Sequence, residues 1–421
     1  MSFSAFGKKF TGESGILNLM DDLGNALADP NAKDMIMMGG GNPAHIPEIE
    51  DIVRQRLIDI AEDNYELQQL IGVYDTPQGE KAFRSALAKL LSEEFDWPLT
   101  DQNVVLTNGS QSAFFMLFNL LAGEHTDGSQ KHILFPMAPE YIGYADAGLS
   151  EGCFKAFKPE IELIGEHQFK YHVDFDALTI TEDTAAICVS RPTNPTGNVV
   201  TDNELQKLDE LARKHGIPLI IDGAYGTPFP DIIFSDATPI WNDNTILCLS
   251  LSKFGLPAAR TGIVIAKPEI IQAISNVNAI LSLATNSVGA RLSLPLMKSG
   301  EILSLSKNII KPFYQQRCNQ AIQQLETGLE GLPVRVHKPE GAMFLWLWCK
   351  DLPISSQALY ERLKEKKLIV VPGQYFFPGL EDEEWPHRNE CIRINYSQSP
   401  EQVKKGLEII CEELQGLYSD I

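Results

Sequence analysis

The sequence lacks several things that would narrow its class at once. Its seven cysteines, Cys153, Cys188, Cys248, Cys318, Cys349, Cys391 and Cys411, are odd in number and scattered, with no C-x-x-C pair. That excludes a disulfide framework or a cysteine-bound metal and predicts reduced thiols packed in a core. No apolar run approaches the length that spans a bilayer. Met1 to Lys9 do not follow the charged-then-apolar order of a signal peptide, so the expectation is cytoplasmic. There is no internal repeat and no low-complexity tract. Basic residues are scarce: 35 Lys and Arg stand against 56 Asp and Glu, a formal charge of −21. Such a surface repels nucleic acid and anionic membrane.

What is present is ordinary globular material, 44% hydrophobic over 421 residues. That length predicts two linked domains. The middle of the chain alternates short apolar runs with amphipathic stretches. Val104-Val105-Leu106, His132 to Phe135, Ala186 to Val189, Ile217 to Ile221, Ile246 to Leu249 and Ile263 to Ile265 are apolar throughout rather than alternating. Strands of that kind belong to a mostly parallel sheet covered by helices on both faces. One helix is expected to start near Asp202, with Leu205, Leu208, Leu211 and Ala212 on one face, and to stop at Gly216. The C-terminal part reads differently. Val334 to Val336 and Phe344 to Trp348 flank Pro339-Glu340-Gly341 as an antiparallel pair. Leu368 to Val371 and Ile392 to Ile394 follow as strands, and a final helix carries Val403, Leu407, Ile410, Cys411 and Leu414 on one face. The fold class is therefore α/β: a large domain over 59–310 and a smaller α+β domain from 1–58 with 311–421. The break is expected near Lys307 to Arg317.

Four strand ends carry chemistry. Ser250-Leu251-Ser252-Lys253 leaves a buried strand, where a charged lysine is penalised and a neutral one can form a Schiff base with an aldehyde such as that of pyridoxal phosphate. Arg260 lies seven residues on, and two hydroxyls with a guanidinium suit a phosphate dianion. Ile220-Ile221-Asp222-Gly223-Ala224-Tyr225 places an acid where the sites of open α/β sheets lie. Such an acid can keep a pyridinium nitrogen protonated, though it can equally close an Asx turn. Arg191 to Asn198, with two prolines and a glycine, makes a rigid turn that fixes the Asn194 amide. Thr107 to Ser112 links a strand to a helix whose N-terminus offers N–H groups to a phosphate. Each segment alone is no more than a turn. Together, in this chain order, they form a phosphate cradle, a ring-oxygen donor, a ring-nitrogen acid and a Schiff-base lysine.

With those motifs in place the chain resembles a fold-type I aminotransferase of the aspartate aminotransferase superfamily, over nearly its whole length. The resemblance implies pyridoxal 5'-phosphate as cofactor and no metal. It gives Lys253 the roles of cofactor lysine and proton shuttle, Asp222 that of ring-nitrogen acid, and Asn194 and Tyr225 those of ring-oxygen donors. Gly109, Ser110, Gln111, Ser250, Ser252 and Arg260 match the phosphate site, and Tyr141 the residue stacked on the ring. Tyr74, in Tyr74-Asp75-Thr76-Pro77, matches a tyrosine that reaches the neighbouring subunit's phosphate, which implies a homodimer with shared active sites. Arg393 matches the arginine that grips the substrate α-carboxylate. Many relatives have one more residue between the lysine and the phosphate arginine than Lys253 to Arg260 has here.

Within the family, Ser14-Gly15-Ile16, Gly39 to Ala44, Thr107 to Phe115, Ala138 to Leu149, Ser190 to Val199 and His337 to Ala342 are similar to its valine–pyruvate branch. That implies amino transfer between valine and pyruvate. Another small apolar amino acid is the alternative, and a pyridoxal-dependent lyase a further one. Gly41 is expected to bring backbone near the substrate and Ile16 to line an apolar pocket. A regulator built on this scaffold would need a DNA-binding module, for which the sequence shows no basic helix pair.

Overall fold

The computed structural model describes residues 2–11, 15, 17, 20, 21, 24, 34–381 and 383–419. Two sheets organise them. The larger runs in the order Val104–Thr107, Gly262–Ile265, Thr245–Ser250, Leu219–Asp222, Thr184–Ser190, Gln130–Phe135 and Gly123–Glu124, with Phe154–Ala156 also on Gln130–Phe135. Thr245–Ser250, Leu219–Asp222, Thr184–Ser190 and Gln130–Phe135 are parallel neighbours. Gly262–Ile265 is antiparallel to both Thr245–Ser250 and Val104–Thr107. Val104–Thr107, Thr245–Ser250, Leu219–Asp222, Thr184–Ser190 and Gln130–Phe135 therefore end at one edge of the sheet, where Gly262–Ile265 begins.

The apolar runs form these strands because both faces are covered. All seven positions of Thr184–Ser190 and all six of Thr245–Ser250 are buried. Full burial of a Leu or Ile side chain is worth about 1.5–3 kcal/mol, so these runs fix the sheet's centre. Helix Asp202–His215 starts at a Thr201/Glu204 capping box and ends at Gly216 in the left-handed region, φ 66°. Leu205, Leu208 and Ala212 are its buried apolar stripe.

The second sheet runs Val371–Pro372, Cys391–Asn395, Phe344–Cys349, Val334–His337, Gln168–His172 and Glu160–Ile164. The expected antiparallel pair around Pro339-Glu340-Gly341 is present, with Val336 opposite Leu347. The hairpin Glu160–Ile164/Gln168–His172 enters this sheet from the middle of the chain, by parallel pairing of Gln168–His172 with Val334–His337. Ile36–Met37 pairs in parallel with Leu368–Ile369, which ties the N-terminal segment to the C-terminal one. A π-helical turn, Ser306–Ile310, lies between the helices Glu301–Leu305 and Lys311–Gly328. All seven cysteines are free and buried. Among the described residues no helix is long and apolar enough to cross a membrane.

Candidate active site

The strand ends of the large sheet open into a cavity of about 530 Å³, within the range of small-molecule sites. It is lined by Gly41, Ser110, Gln111, Tyr141, Asn194, Asp222, Tyr225, Ser250, Ser252, Lys253, Arg260 and Arg393. The structure thus brings twelve of the expected residues together.

Lys253 leaves the buried strand through a short turn closed by Leu256 N–H donating to Leu251 O at 3.1 Å. Its Nζ donates to Gly41 O at 2.6 Å and sits 5.2 Å from the centre of the Tyr225 ring. Burial, then the Arg393 and Arg260 charges, pull its pKa down to about 8, against the pull of Asp222. A substantial neutral fraction near physiological pH is what a lysine needs to attack a carbonyl.

Asp222 ends its strand and accepts from the Tyr144 hydroxyl at 2.5 Å and from Ala224 N–H at 2.9 Å. The second bond is the Asx turn, so the turn and the acid are the same residue. Burial raises its pKa, and the two hydrogen bonds and Lys253 oppose the rise. Tyr225 is buried beside Phe344, ring centres 5.7 Å apart. Asn194 sits on a turn closed by Gly197 N–H to Thr193 O at 2.8 Å. Gly197 has φ +70°, and a Cβ there would stand 2.6 Å from Gly341 O, so glycine is required.

The end of the cavity expected to hold a phosphate is framed by backbone. Gly109, φ +92°, precedes helix Ser110–Leu121. A Cβ on Gly109 would fall on the Arg260 guanidinium. The opening N–H groups of this helix have no partner within it, and they point with the helix dipole at an anion. Gln111 spends its side-chain amide on Gly143 O at 3.0 Å, which leaves its backbone for the ligand. The shortened loop after Lys253 resolves into the turn Pro257–Ala259, with Arg260 at φ +44°. That left-handed residue lets the shorter loop still deliver the guanidinium beside Gly109.

Arg393 comes from the second sheet. It is fully buried, its Nη1 donating to Asn194 Oδ1 at 2.8 Å and its Nη2 to Gly39 O at 2.5 Å. Phe344 and Phe376 hold the guanidinium, 4.3 and 5.2 Å from the ring centres. Burial brings its pKa down to about 10. Its Nε is a buried donor with no partner among the described residues. Such an orphan is costly unless a ligand satisfies it.

Three expected residues stand apart. Gly109 shapes the cradle from behind Arg260. Tyr74 is 81% exposed and does not line its own chain's cavity. Ile16 lies outside the described residues. Sequence reasoning passed over Tyr144, Glu140, Phe344, Phe376 and Asn395, whose Nδ2 donates to Gly40 O at 2.6 Å. Tyr144 had a signal: it follows Tyr141 by three residues, and the turn Ile142–Tyr144 sets the two rings edge to face, 5.4 Å apart. The others are partners far apart in the chain.

The donor set fits a planar pyridine with an aldehyde, a ring hydroxyl and a phosphate. By donor chemistry Lys253 would suit the aldehyde, Asn194 and Tyr225 the hydroxyl, Asp222 the nitrogen, and Gly109 to Gln111 with Ser250, Ser252 and Arg260 the phosphate. The family model for aminotransferase class I and II matches residues 48–410. This chain belongs to that family. It is 53% identical over 420 residues, all of both chains, to the valine–pyruvate aminotransferase of Escherichia coli K12. A solved valine–pyruvate aminotransferase from Salmonella typhimurium LT2 superposes with TM-score 0.88 at 51% identity, covering 97% of this chain and all of that one. A solved structure from Psychrobacter arcticum 273-4 gives TM-score 0.97 at 45% identity over the whole of both chains. The aminotransferase therefore has the α/β architecture that its strand pattern implied and the fold-type I arrangement that the resemblance implied.

Proposed function

We propose that this aminotransferase exchanges an amino group between L-valine and pyruvate, giving 2-oxoisovalerate and L-alanine, with pyridoxal 5'-phosphate as cofactor. The observation that carries the substrate class is the cavity's cation inventory. Lys253, Arg260 and Arg393 are the cationic side chains among its described lining residues. The first belongs to the reacting carbon, the second to the phosphate and the third to the α-carboxylate. None is left for a side-chain carboxylate, so an apolar side chain fits better than an acidic one. The 53% identity with the E. coli enzyme supports valine and pyruvate specifically. An apolar pocket separates substrates differing by one methylene by only about 1–3 kcal/mol, so alanine, 2-aminobutyrate and their relatives are expected as weaker donors.

Bound in this site, pyridoxal phosphate supplies the aldehyde that takes the amino group and a ring that accepts the electron pair left on the α-carbon. The protein does the rest. Arg393 holds the substrate carboxylate with the donors that Asn194 and Gly39 leave free, which fixes the α-carbon's orientation. Lys253 Nζ takes the α-proton and returns it. Asp222, steadied by Tyr144 and Ala224, keeps a proton at the ring nitrogen. Asn194 and Tyr225 donate to the ring oxygen. Tyr141, which lines the cavity, would pack against the ring face and keep water from it.

The same proposal includes a cytoplasmic homodimer in which Tyr74 completes the partner's phosphate site, consistent with its exposure. It also divides the chain into a cofactor-binding domain over 59–310 and a smaller domain, from 1–58 with 311–421, that contributes Arg393. The test is to mix cofactor-loaded protein with L-valine and pyruvate and to quantify both products. Equal amounts of alanine and 2-oxoisovalerate are expected. Release of ammonia without a 2-oxo acid acceptor would move the reading to a lyase.

A further inference from the structure

Behind Asp222 lies a second carboxyl that the reaction described above does not use. Glu140 is completely buried. Its Oε1 accepts from Ser190 N–H at 2.9 Å, and its Oε2 is 2.5 Å from Ser190 Oγ. Ser190 is the residue opposite Asp222 in the parallel ladder, and it lines the cavity. The Glu140 backbone is pinned by its N–H to Phe376 O at 2.8 Å, and Phe376 is one of the rings that hold Arg393. Glu140 is therefore built into the site.

The groups that face it are all acids or neutral dipoles. From strand Leu219–Asp222 comes Asp222; from Thr184–Ser190 come Cys188 and Ser190; from its own loop come Tyr144 and the Tyr141 N–H. No hydrogen bond from a cation reaches its oxygens among the described residues. Two carboxyls in one buried corner without a cation between them do not both ionise. Asp222 is the better anion, because it has the Tyr144 hydroxyl, the Ala224 N–H and the nearby Lys253. We propose that Glu140 is a positioning residue of this enzyme: a neutral carboxyl that donates its proton to Ser190 Oγ and leaves Asp222 as the single negative charge of the corner.

Several consequences follow in sequence. Glu140 Oε2–H donates to Ser190 Oγ, so the serine's own hydrogen is free to turn toward the cavity. Burial, then the Asp222 charge, drive the Glu140 pKa up to about 8, against the Ser190 bonds. At pH 7 that leaves about tenfold more acid than carboxylate. A rise in pH through about 8 puts a second negative charge behind Asp222. The new charge raises the proton affinity of Asp222 and of any base hydrogen-bonded to it. The influence on the ring nitrogen rests on the reading of Asp222 given above; the protonation of Glu140 itself does not.

The experiment is an infrared difference spectrum of the protein between pH 6 and pH 9, paired with a pH titration of the bound cofactor's visible absorbance. The expected result is a carboxylic-acid carbonyl band present at pH 6, lost at pH 9, and missing from Glu140→Gln. Glu140→Asp should restore a titrating band. The absorbance change near pH 8 should disappear in Glu140→Gln. An identical infrared difference spectrum in wild type and Glu140→Gln overturns the proposal. So does an absorbance titration that Glu140→Gln leaves unmoved. If Glu140→Gln does not fold, Ser190→Ala is the second probe. Losing the hydroxyl partner shifts the band if Glu140 carries it, and an unshifted band overturns the assignment. The infrared result needs no substrate. Failure of valine–pyruvate exchange and failure of this proposal are therefore separate outcomes.

Discussion

Replacing Arg393 by lysine keeps the charge and removes the fork. In the structure the guanidinium spans Asn194 Oδ1 and Gly39 O while its Nε has no partner among the described residues. An ammonium on a shorter stem cannot serve both acceptors and a carboxylate together. Arg393→Lys therefore loses about one charge-assisted hydrogen bond to substrate, roughly 1.5–3 kcal/mol, and strands a buried acceptor at a further 1–3 kcal/mol. The freed Asn194 amide also loses the partner that sets its orientation. A combined loss of roughly 3–4 kcal/mol corresponds to a fall of about 10²–10³ in kcat/KM. The same arginine receives both carboxylates of a ping-pong reaction, so the fall should be similar for valine and for pyruvate. Most of it should appear in KM, because the carboxylate is held throughout the reaction. Cofactor content, read from its absorbance, should be unchanged. A kcat/KM within about threefold of wild type for either substrate would refute the role of Arg393.

Three other outcomes are expected. Lys253→Ala should abolish turnover and the fixing of cofactor to the protein by borohydride; measurable turnover would remove Lys253 from the mechanism. In cofactor-free protein the Lys253 pKa, pulled down to about 8 by burial and two arginines, means that the neutral amine grows as pH rises. Capture of free pyridoxal phosphate should speed up through about pH 8 and level off above it, and a flat profile would contradict the burial argument. Gly109→Ala places a methyl group on the Arg260 guanidinium at a backbone angle of φ +92°. That strain is worth about 1–3 kcal/mol, so both the melting temperature and the affinity for pyridoxal phosphate should drop; a change in neither would show that the cradle tolerates a side chain.

The parts of the site that the sequence reveals are those fixed by local order. Asp222 and Lys253 each stand at or just past the end of a buried apolar run, so their positions follow from reading strand ends. Asn194 follows from a turn whose prolines and glycine leave few conformations. The helix Asp202–His215 is bounded by its own caps. What the sequence conceals is whatever depends on two distant segments meeting. Arg393 is legible only through the family resemblance; its surroundings, Phe344, Phe376, Asn194 and Gly39, come from distant segments that no local pattern joins. The hairpin Glu160–Ile164/Gln168–His172 alternates polar and apolar residues, but nothing local says which sheet it joins, and only its pairing with Val334–His337 places it in the second sheet. Glu140 reads as a loop carboxylate because local pattern does not register that Ser190, at the end of a distant strand, and Phe376 will meet it. Ile36–Met37 is two residues long, too short for any periodicity.

The site's charges also act on one another. Arg393 and Arg260 both depress the Lys253 pKa, and Asp222 opposes them. Each arginine is placed to meet an anion, Arg260 beside the helix N-terminus and Arg393 with its unpartnered Nε. When an anion binds at either one, the positive field at Lys253 weakens and the ammonium becomes less unfavourable. A phosphate at Arg260 sets the first increment permanently in the loaded enzyme. A substrate carboxylate at Arg393 sets the second only while substrate is bound. On the proposed reading, Lys253 is then most basic when an α-proton is in front of it and least basic when the site is open and a neutral amine is needed. The surface charge of −21 does not enter this balance, because a screened exterior contributes little to a buried cavity. Burial sets most of the proton affinity of Lys253, and the two arginines adjust it; on the proposed reading that adjustment follows the arrival of substrate.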